Sequence, residues 1–413
     1  MSWNYVRLGD VCSKIGSGAT PKGGATVYID SGISLIRSQN VYNLEFSYDG
    51  LAHITEDAAE KLNGVTVLKN DVLLNITGDS VARTCIVPES VLPARVNQHV
   101  AIVRPNQEEV NPLFLNYYLA SPYMQSFMLG LAVGKGASRN AMTKDMIANF
   151  EVPCPPIDIQ ESIVSILSAY DNLIENNQKQ IKLLEEAAQR VYKEWFIDLR
   201  FPGYEYTVIV DGVPEGWSYK PLSALFNFVR GKSYTSKELS DTSGVLMVNL
   251  KNIRAFGGYN RNAEKRFTGK YKDEQALYPG DLVMGVTDMT QERRLVGHTA
   301  IVPDLGEPMT FSMDLIKLVP LSIQKSYLYS SLYYGGYSFK ISPLANGVNV
   351  LHLKPEAMMN LQMLVPTGEL MDAYGKVFDP IQSRIELLQK QIDAAAESRD
   401  RLLPKLLNGE IEV

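Results

Sequence analysis

Two hydrophobic patterns share this chain. In two stretches the apolar residues return at alternating steps of four and three. The first runs through Ile163, Leu167, Tyr170, Ile174, Ile181, Leu184, Ala188, Val191 and Trp195, with polar Asn177 filling one slot. The second runs through Met371, Tyr374, Phe378, Ile381, Ile385, Leu388, Ile392, Ala395, Leu402 and Leu406, with Arg399 in one slot. Seams of this kind, sustained over about five heptads, predict two long amphipathic helices. Either alone would suit the core of a bundle, but two matched seams in one chain predict that they pair with each other. A helix of about 40 residues extends about 60 Å. Pro380 and Pro404 predict a late start or kink, and a frayed end, in the second. Asn177 suits a buried seam position that fixes register, or a solvated edge. Elsewhere the pattern is short and alternating. Val65-Thr66-Val67-Leu68 and Asp281-Leu282-Val283-Met284 read as strands between Gly, Asn and Pro turns.

The landmarks occur twice, in the same order. Trp3-Asn4-Tyr5-Val6-Arg7-Leu8 returns as Trp217-Ser218-Tyr219-Lys220-Pro221-Leu222, and Ser38-Gln39-Asn40-Val41 as Leu250-Lys251-Asn252-Ile253. Asn70-Asp71-Val72-Leu73, followed by Thr77-Gly78, returns as Gly280-Asp281-Leu282-Val283, followed by Thr287-Asp288. Ala101-Ile102-Val103-Arg104-Pro105 matches Leu315-Ile316-Lys317-Leu318-Val319-Pro320, one residue longer, and Glu151-Val152-Pro153 matches Met363-Leu364-Val365-Pro366. Ile181-Lys182-Leu183-Leu184-Glu185 matches Ile385-Glu386-Leu387-Leu388-Gln389. Single matches are weak, but their common order over half a chain predicts a tandem duplication with pseudo-twofold symmetry. The expected fold class is α+β: two mixed α/β domains in pseudo-twofold arrangement, separated by two long antiparallel coiled-coil helices. The expected boundaries are 1–156 for the first domain, 157–198 for the first helix, 199–367 for a connector and second domain, and 368–413 for the second helix.

Composition narrows the class. Apolar residues make up 45% and charged residues 21% of the chain, as in an ordinary soluble protein. No apolar run suits a membrane span, and the start lacks a secretory pattern, so a cytoplasmic location is expected. Cys12, Cys85 and Cys154 give neither a disulfide framework nor metal spacing and read as reduced core thiols. No catalytic or metal site is expected. The four histidines, His53, His99, His298 and His352, are scattered. Pro155-Pro156 lacks the flanking residues with which an adenine methyltransferase grips a flipped base. Gly231-Lys232-Ser233 resembles the tail of a phosphate-binding loop, but Phe226 stands where that loop needs glycine. There is no G-x-S-x-G elbow.

Several stretches resemble one known family. They are Val191-Tyr192-Lys193-Glu194-Trp195-Phe196-Ile197-Asp198 with Phe201-Pro202-Gly203, and the ending Leu402-Leu403-Pro404-Lys405-Leu406-Leu407-Asn408-Gly409-Glu410-Ile411. Pro153-Cys154-Pro155-Pro156 before Gln160-Glu161 resembles that family's entry into its first long helix, with the usual Glu-Gln order reversed. Gly18-Ala19-Thr20-Pro21, Val96-Asn97-Gln98 and Gly134-Lys135-Gly136-Ala137-Ser138 resemble its recurring domain landmarks. The whole arrangement resembles the specificity subunit of type I restriction–modification systems. That resemblance implies a non-catalytic subunit with two target-recognition domains, each reading half of a bipartite site in double-stranded DNA. It implies helices that set the gap between half-sites and dock two modification subunits. S-adenosylmethionine is expected in those partners, with no cofactor in this chain, and restriction subunits join the core to cut unmethylated DNA.

A net charge of −6 does not suggest DNA binding, but the charge is uneven. Lys251, Arg254, Arg261, Lys265, Arg266, Lys270 and Lys272 crowd one segment with a single acid, Glu264, whereas the stretch from Asp158 to Asp198 is acidic. Basic side chains attract phosphate, and amides or guanidinium groups read base edges. The candidate DNA-binding residues of the first domain are Lys22, Arg37, Gln39, Asn40, Arg83, Arg95, Asn97, Gln98, Lys135, Ser138 and Arg139. Those of the second are Lys232, Tyr234, Asn249, Lys251, Asn252, Arg254, Thr287, Arg293, Arg294 and Asn349. In Asn346-Gly347-Val348-Asn349 the loop matching Gly134–Ser138 has lost its basic residues. A coiled-coil scaffold without DNA contact, and a self-contained methyltransferase or nuclease, are the competing readings.

Overall fold

A computed structural model describes residues 3–133, 141–261 and 263–413. The chain divides into two units, Met1–Asn176 with Ile392–Val413, and Asn177–Gln391. The long helices run from Ile157 to Tyr192 and from Gly368 to Leu407, so each contributes a segment to both units. Every predicted seam position is buried or half-buried. Among the described residues no helix is long and apolar enough to cross a membrane.

In the first unit one sheet holds strands Ala52–Ile54, Ile33–Ile36, Ala94–Val96 and Thr66–Val67 in that spatial order. A second holds Cys12–Ser17, Val100–Pro105, Val72–Asn75 and Thr84–Ile86. The central strands are apolar on both faces. Ala101, Val103, Val72 and Leu74 enter the core that faces the helices, while Val100, Ile102 and Leu73 enter the core between strands and loops. Period-two alternation therefore divides one continuous apolar run between two cores.

The second unit repeats this order. Lys265–Phe267, Val245–Val248, Met309–Phe311 and Ala276–Leu277 take the places of the first sheet, with Leu239–Ser240 added at one edge. Phe226–Arg230, Leu315–Pro320, Leu282–Gly285 and Thr299–Ile301 take the places of the second. Smaller features repeat too. Asp71 accepts from Leu68 N at 2.7 Å and pairs with Arg104 at 2.6 Å; Asp281 accepts from Tyr278 N at 3.0 Å and lies 3.9 Å from Lys317. A Cβ at Gly18 would sit 2.1 Å from the Val96 carbonyl oxygen, and one at Gly231 1.9 Å from that of Ser312. Gly18 and Gly231 are thus required by the same close backbone approach. The failed phosphate-loop motif at Gly231 is this crossing.

Within each unit the two helix segments run antiparallel. In the first, Ile163 and Leu167 share a core with Leu403, Leu406 and Leu407. Asp171 Oδ1 accepts from Arg399 Nη1 at 2.6 Å, and the Tyr117 hydroxyl donates to its other oxygen. The polar slot at Arg399 is therefore a paired seam position. In the second, Ala188, Tyr192 and Phe196 pack with Met371, Tyr374 and Phe378. Asn177, 2% exposed, donates to Gln391 at 3.2 Å, which places it on the seam and not at a solvated edge. Arg399→Met removes the guanidinium partner of Asp171 and should cost about 2–3 kcal/mol. Urea denaturation checks this, and an unchanged midpoint contradicts it.

The proline expectations need correction. The second helix starts at Gly368, ahead of Pro380, and continues through Pro404. Each proline removes one helical hydrogen bond, and the burial of Phe378, Leu403 and Leu406 offsets the loss. The C-terminus is closed rather than frayed. Gly409, at φ 73°, lets Asn408 N bond Pro404 O and Glu410 N bond Lys405 O.

Candidate nucleic-acid interface

Each unit carries a tight turn organised by one buried asparagine. In the first, the turn Ser38–Asn40 follows strand Ile33–Ile36. Asn40 accepts from Arg37 N at 3.0 Å and donates to the carbonyls of Ser47 at 2.9 Å and Asp49 at 3.2 Å. In the second, Asn252 accepts from Asn249 N at 2.8 Å and donates to Asn260 O at 2.9 Å. Both side chains are fully buried. Asn249 is spent likewise, on Ala263 O at 2.7 Å and Lys251 N at 3.0 Å. These amides form the turns that display their neighbours and are not themselves presented at the surface.

In the first unit the turn borders a cleft lined by Gln39, Tyr42, Thr77, Asp79, Arg83 and His99. The Arg83 guanidinium lies 4.6 Å from the centre of the Tyr42 ring, a stacking that fixes it without consuming its donors. The Thr77 hydroxyl is 2.6 Å from His99 Nδ1, and Gln98 Nε2 is 3.2 Å from His99 Nε2. Arg37 lies 5.3 Å from the Tyr28 ring centre and donates to Gly50 O. Lys22 and Gln98 are exposed. Asn97 is buried and turns the backbone toward His99 N at 3.1 Å. Arg95 is 8% exposed and donates to Ala59 O, Ala94 O and Asn63. Contrary to the expectation from its residue type, Arg95 is a structural residue. Lys135, Ser138 and Arg139 lie outside the described residues.

The basic run of the second unit disperses. Arg254 approaches Glu185 at 3.7 Å and Arg261 approaches Glu386 at 3.3 Å, both acids lying on the long helices. Arg266 bonds Glu307 at 2.8 Å and Lys272 lies 3.5 Å from Glu274. Arg254 and Arg261 thus face the acidic helices of their own unit, while Arg266 and Lys272 meet acids elsewhere in it. Lys251 and Lys270 are exposed, and Lys265 lies 5.9 Å from the Tyr234 ring centre. Lys232 is half-buried, its backbone N bonding Phe311 O at 2.8 Å. Thr287 is buried against Asp314 at 3.1 Å. Arg293 is half-buried at φ 53°, Arg294 pairs with Glu292, and Asn349 is exposed.

Tyr42, Thr77 and His99 join the cleft although none of them is among the DNA-binding candidates legible in the sequence. The repeated landmarks, Thr77-Gly78 and the Ser38–Val41 turn beside Tyr42, are the available signal, since they mark where backbone turns recur. Burial pushes the Cys12 and Cys85 thiols up to about 12, so neither is a ready nucleophile. All three cysteines are free. Among the described residues no group of His, Cys, Asp and Glu gathers to hold a metal.

Comparison with known proteins agrees with this architecture. Residues 1–186 match the type I restriction modification DNA specificity domain. The whole chain aligns at 24% identity with 94% of the type I restriction enzyme MjaIX specificity subunit of Methanocaldococcus jannaschii. It aligns over 99% of its length, at 20% identity, with 99% of the HindI specificity subunit of Haemophilus influenzae. The fold matches a crystal structure of a type I restriction–modification system S subunit from M. genitalium, with a TM-score of 0.61 at 15% identity over 98% of this chain and 96% of that one. With a match to the specificity domain over its first 186 residues and similarity along its whole length to such subunits, the chain is similar to the specificity subunits of type I restriction–modification systems.

Proposed function

We propose that the chain is the sequence-reading component of a type I restriction–modification complex, each unit reading one half of a bipartite duplex site. On this reading the long helices set the gap between half-sites and dock two modification subunits. Those partners bind S-adenosylmethionine and methylate adenine, restriction subunits complete the cutting complex, and this chain contributes no catalytic group. The observation that carries the proposal is one architecture built twice with unlike loops. The first unit offers Gln39, Arg83 and His99 around its cleft, while the corresponding turn of the second offers Lys251. Shared scaffolds with different polar side chains suit two different half-sites.

Gel-shift titration of the chain with its modification subunit tests this. Arg83→Ala should weaken specific binding about 5- to 100-fold, the range of one lost arginine–base contact. Arg261→Ala, whose guanidinium faces Glu386, should leave DNA affinity near wild type. Absence of any shift by the wild-type assembly would favour a protein scaffold without DNA contact. S-adenosylmethionine binding by the purified chain alone would contradict the division of labour.

A further inference from the structure

Two loops of the second unit leave one strand pair, in which Thr287 faces His352 and Asp288 faces Leu351. Met289, 78% exposed, directly follows Asp288 in one loop, and Val348, 88% exposed, stands in the other. Neither loop is loose. The fully buried Asp288 carboxylate accepts from Thr290 N and Thr290 Oγ1, both at 2.8 Å, and from Leu295 N at 2.6 Å and Val296 N at 3.3 Å. Burial opposes its ionisation, yet these donors hold its pKa below the ordinary carboxylate range. The other loop is closed by reciprocal backbone bonds between Asn346 and His352, at 3.0 and 2.9 Å. Gly347 is indispensable there, because its Cβ would lie 1.9 Å from Val350 O. Gln291 Nε2 then donates to Val348 O at 2.7 Å and ties the loops together.

A buried carboxylate with four donors is a costly way to shape a surface loop unless its exposed residue must keep its position. What it positions is apolar. Arg293 and Arg294 follow in the same loop, Arg294 paired with Glu292, so cationic residues lie close in sequence to the apolar ones. That combination matches one feature of duplex DNA, the 5-methyl group of thymine on the major-groove floor between two phosphate walls. The corresponding first-unit segment, Thr77-Gly78-Asp79-Ser80-Val81, has no exposed apolar residue. Asp79 is its exposed residue and Val81 is 4% exposed.

We propose that Met289 and Val348 are specificity-determining residues that read thymine methyl groups in the half-site bound by the second unit. The proposal rests on the reading of the chain as a DNA-recognition subunit. The two loops form a fixed apolar contact that favours A·T pairs at one or two positions of that half-site.

The test uses the chain assembled with its modification subunits, on duplexes bearing the motif found by mapping methylated adenines. Each thymine is replaced in turn by deoxyuridine, which lacks only the 5-methyl group, and the Kd is measured. In the wild-type assembly, uracil at one or two second-unit positions should weaken binding about three- to ten-fold, and Met289→Ala with Val348→Ala should weaken binding to the natural site similarly. That double variant should then no longer distinguish uracil from thymine, while Met289→Leu should retain the distinction. A second half-site without thymine on either strand, indifference to uracil throughout, or a uracil penalty that persists in the double variant would each overturn the proposal. If the wild-type assembly prefers its motif no more than a scrambled duplex, the recognition reading itself fails, a result separable from the others.

Discussion

Exchange of residues 1–156 for the matching domain of another specificity subunit should change one half of the methylated motif completely and leave the other half as it was. The domain ends just before the first long helix begins at Ile157. Among the described residues, polar attachments tie it to helical segments of its own unit. Gln160 accepts from Asn111 N at 2.8 Å and donates to Glu109 O at 2.9 Å, and Tyr117 donates to Asp171. Phe114, Leu115 and Phe150 share an apolar core with Ile163 and Leu167. An incoming domain that keeps these points can seat on the same helices, whereas its loops bring a new set of base contacts. Sequencing of methylated adenines reads the result. An unchanged motif, or one altered in both halves, contradicts independent reading by two units.

Lengthening both helices should move the half-sites apart without changing either. Seven residues inserted after Gln180 and seven after Arg384, which lie 3.4 Å apart at their side chains, preserve the heptad phase on both strands of the seam. Each insertion adds about 10 Å of helix. That corresponds to about three base pairs of duplex at about 3.4 Å each. The accepted gap should lengthen by about that amount, with both half-site sequences retained. Insertion into one helix alone would set Asn177 against the wrong partner and should instead destabilise the pair. A matched insertion that leaves the original gap would show that the helices do not measure it.

The seams and the duplication were legible because both rest on repetition. Ile163 to Trp195 and Met371 to Leu406 report a heptad that tertiary structure does not override, and Asn40 and Asn252 stand at equivalent turns. Side-chain direction was not legible. Arg254 and Arg261 belong to a basic run in sequence, yet each meets an acid on a long helix of its own unit, far away in the chain. Asn249 and Arg95 resemble DNA-reading residues in type but satisfy local backbone groups. Charge and residue type indicate what a side chain can bind; only the fold decides which group reaches it. The exposed apolar side chain of Met289 was not legible for the opposite reason, since it lacks the polar chemistry that marks a base- or phosphate-binding residue.

The account stands on the claim that this chain chooses where its complex acts on DNA. A genome-wide map of methylated adenines, made in cells with and without the chain while the modification subunit is retained, tests that claim most directly. The account predicts that one two-part motif with a fixed gap loses methylation when the chain is removed and regains it on complementation. A map that is the same in both cells would contradict it.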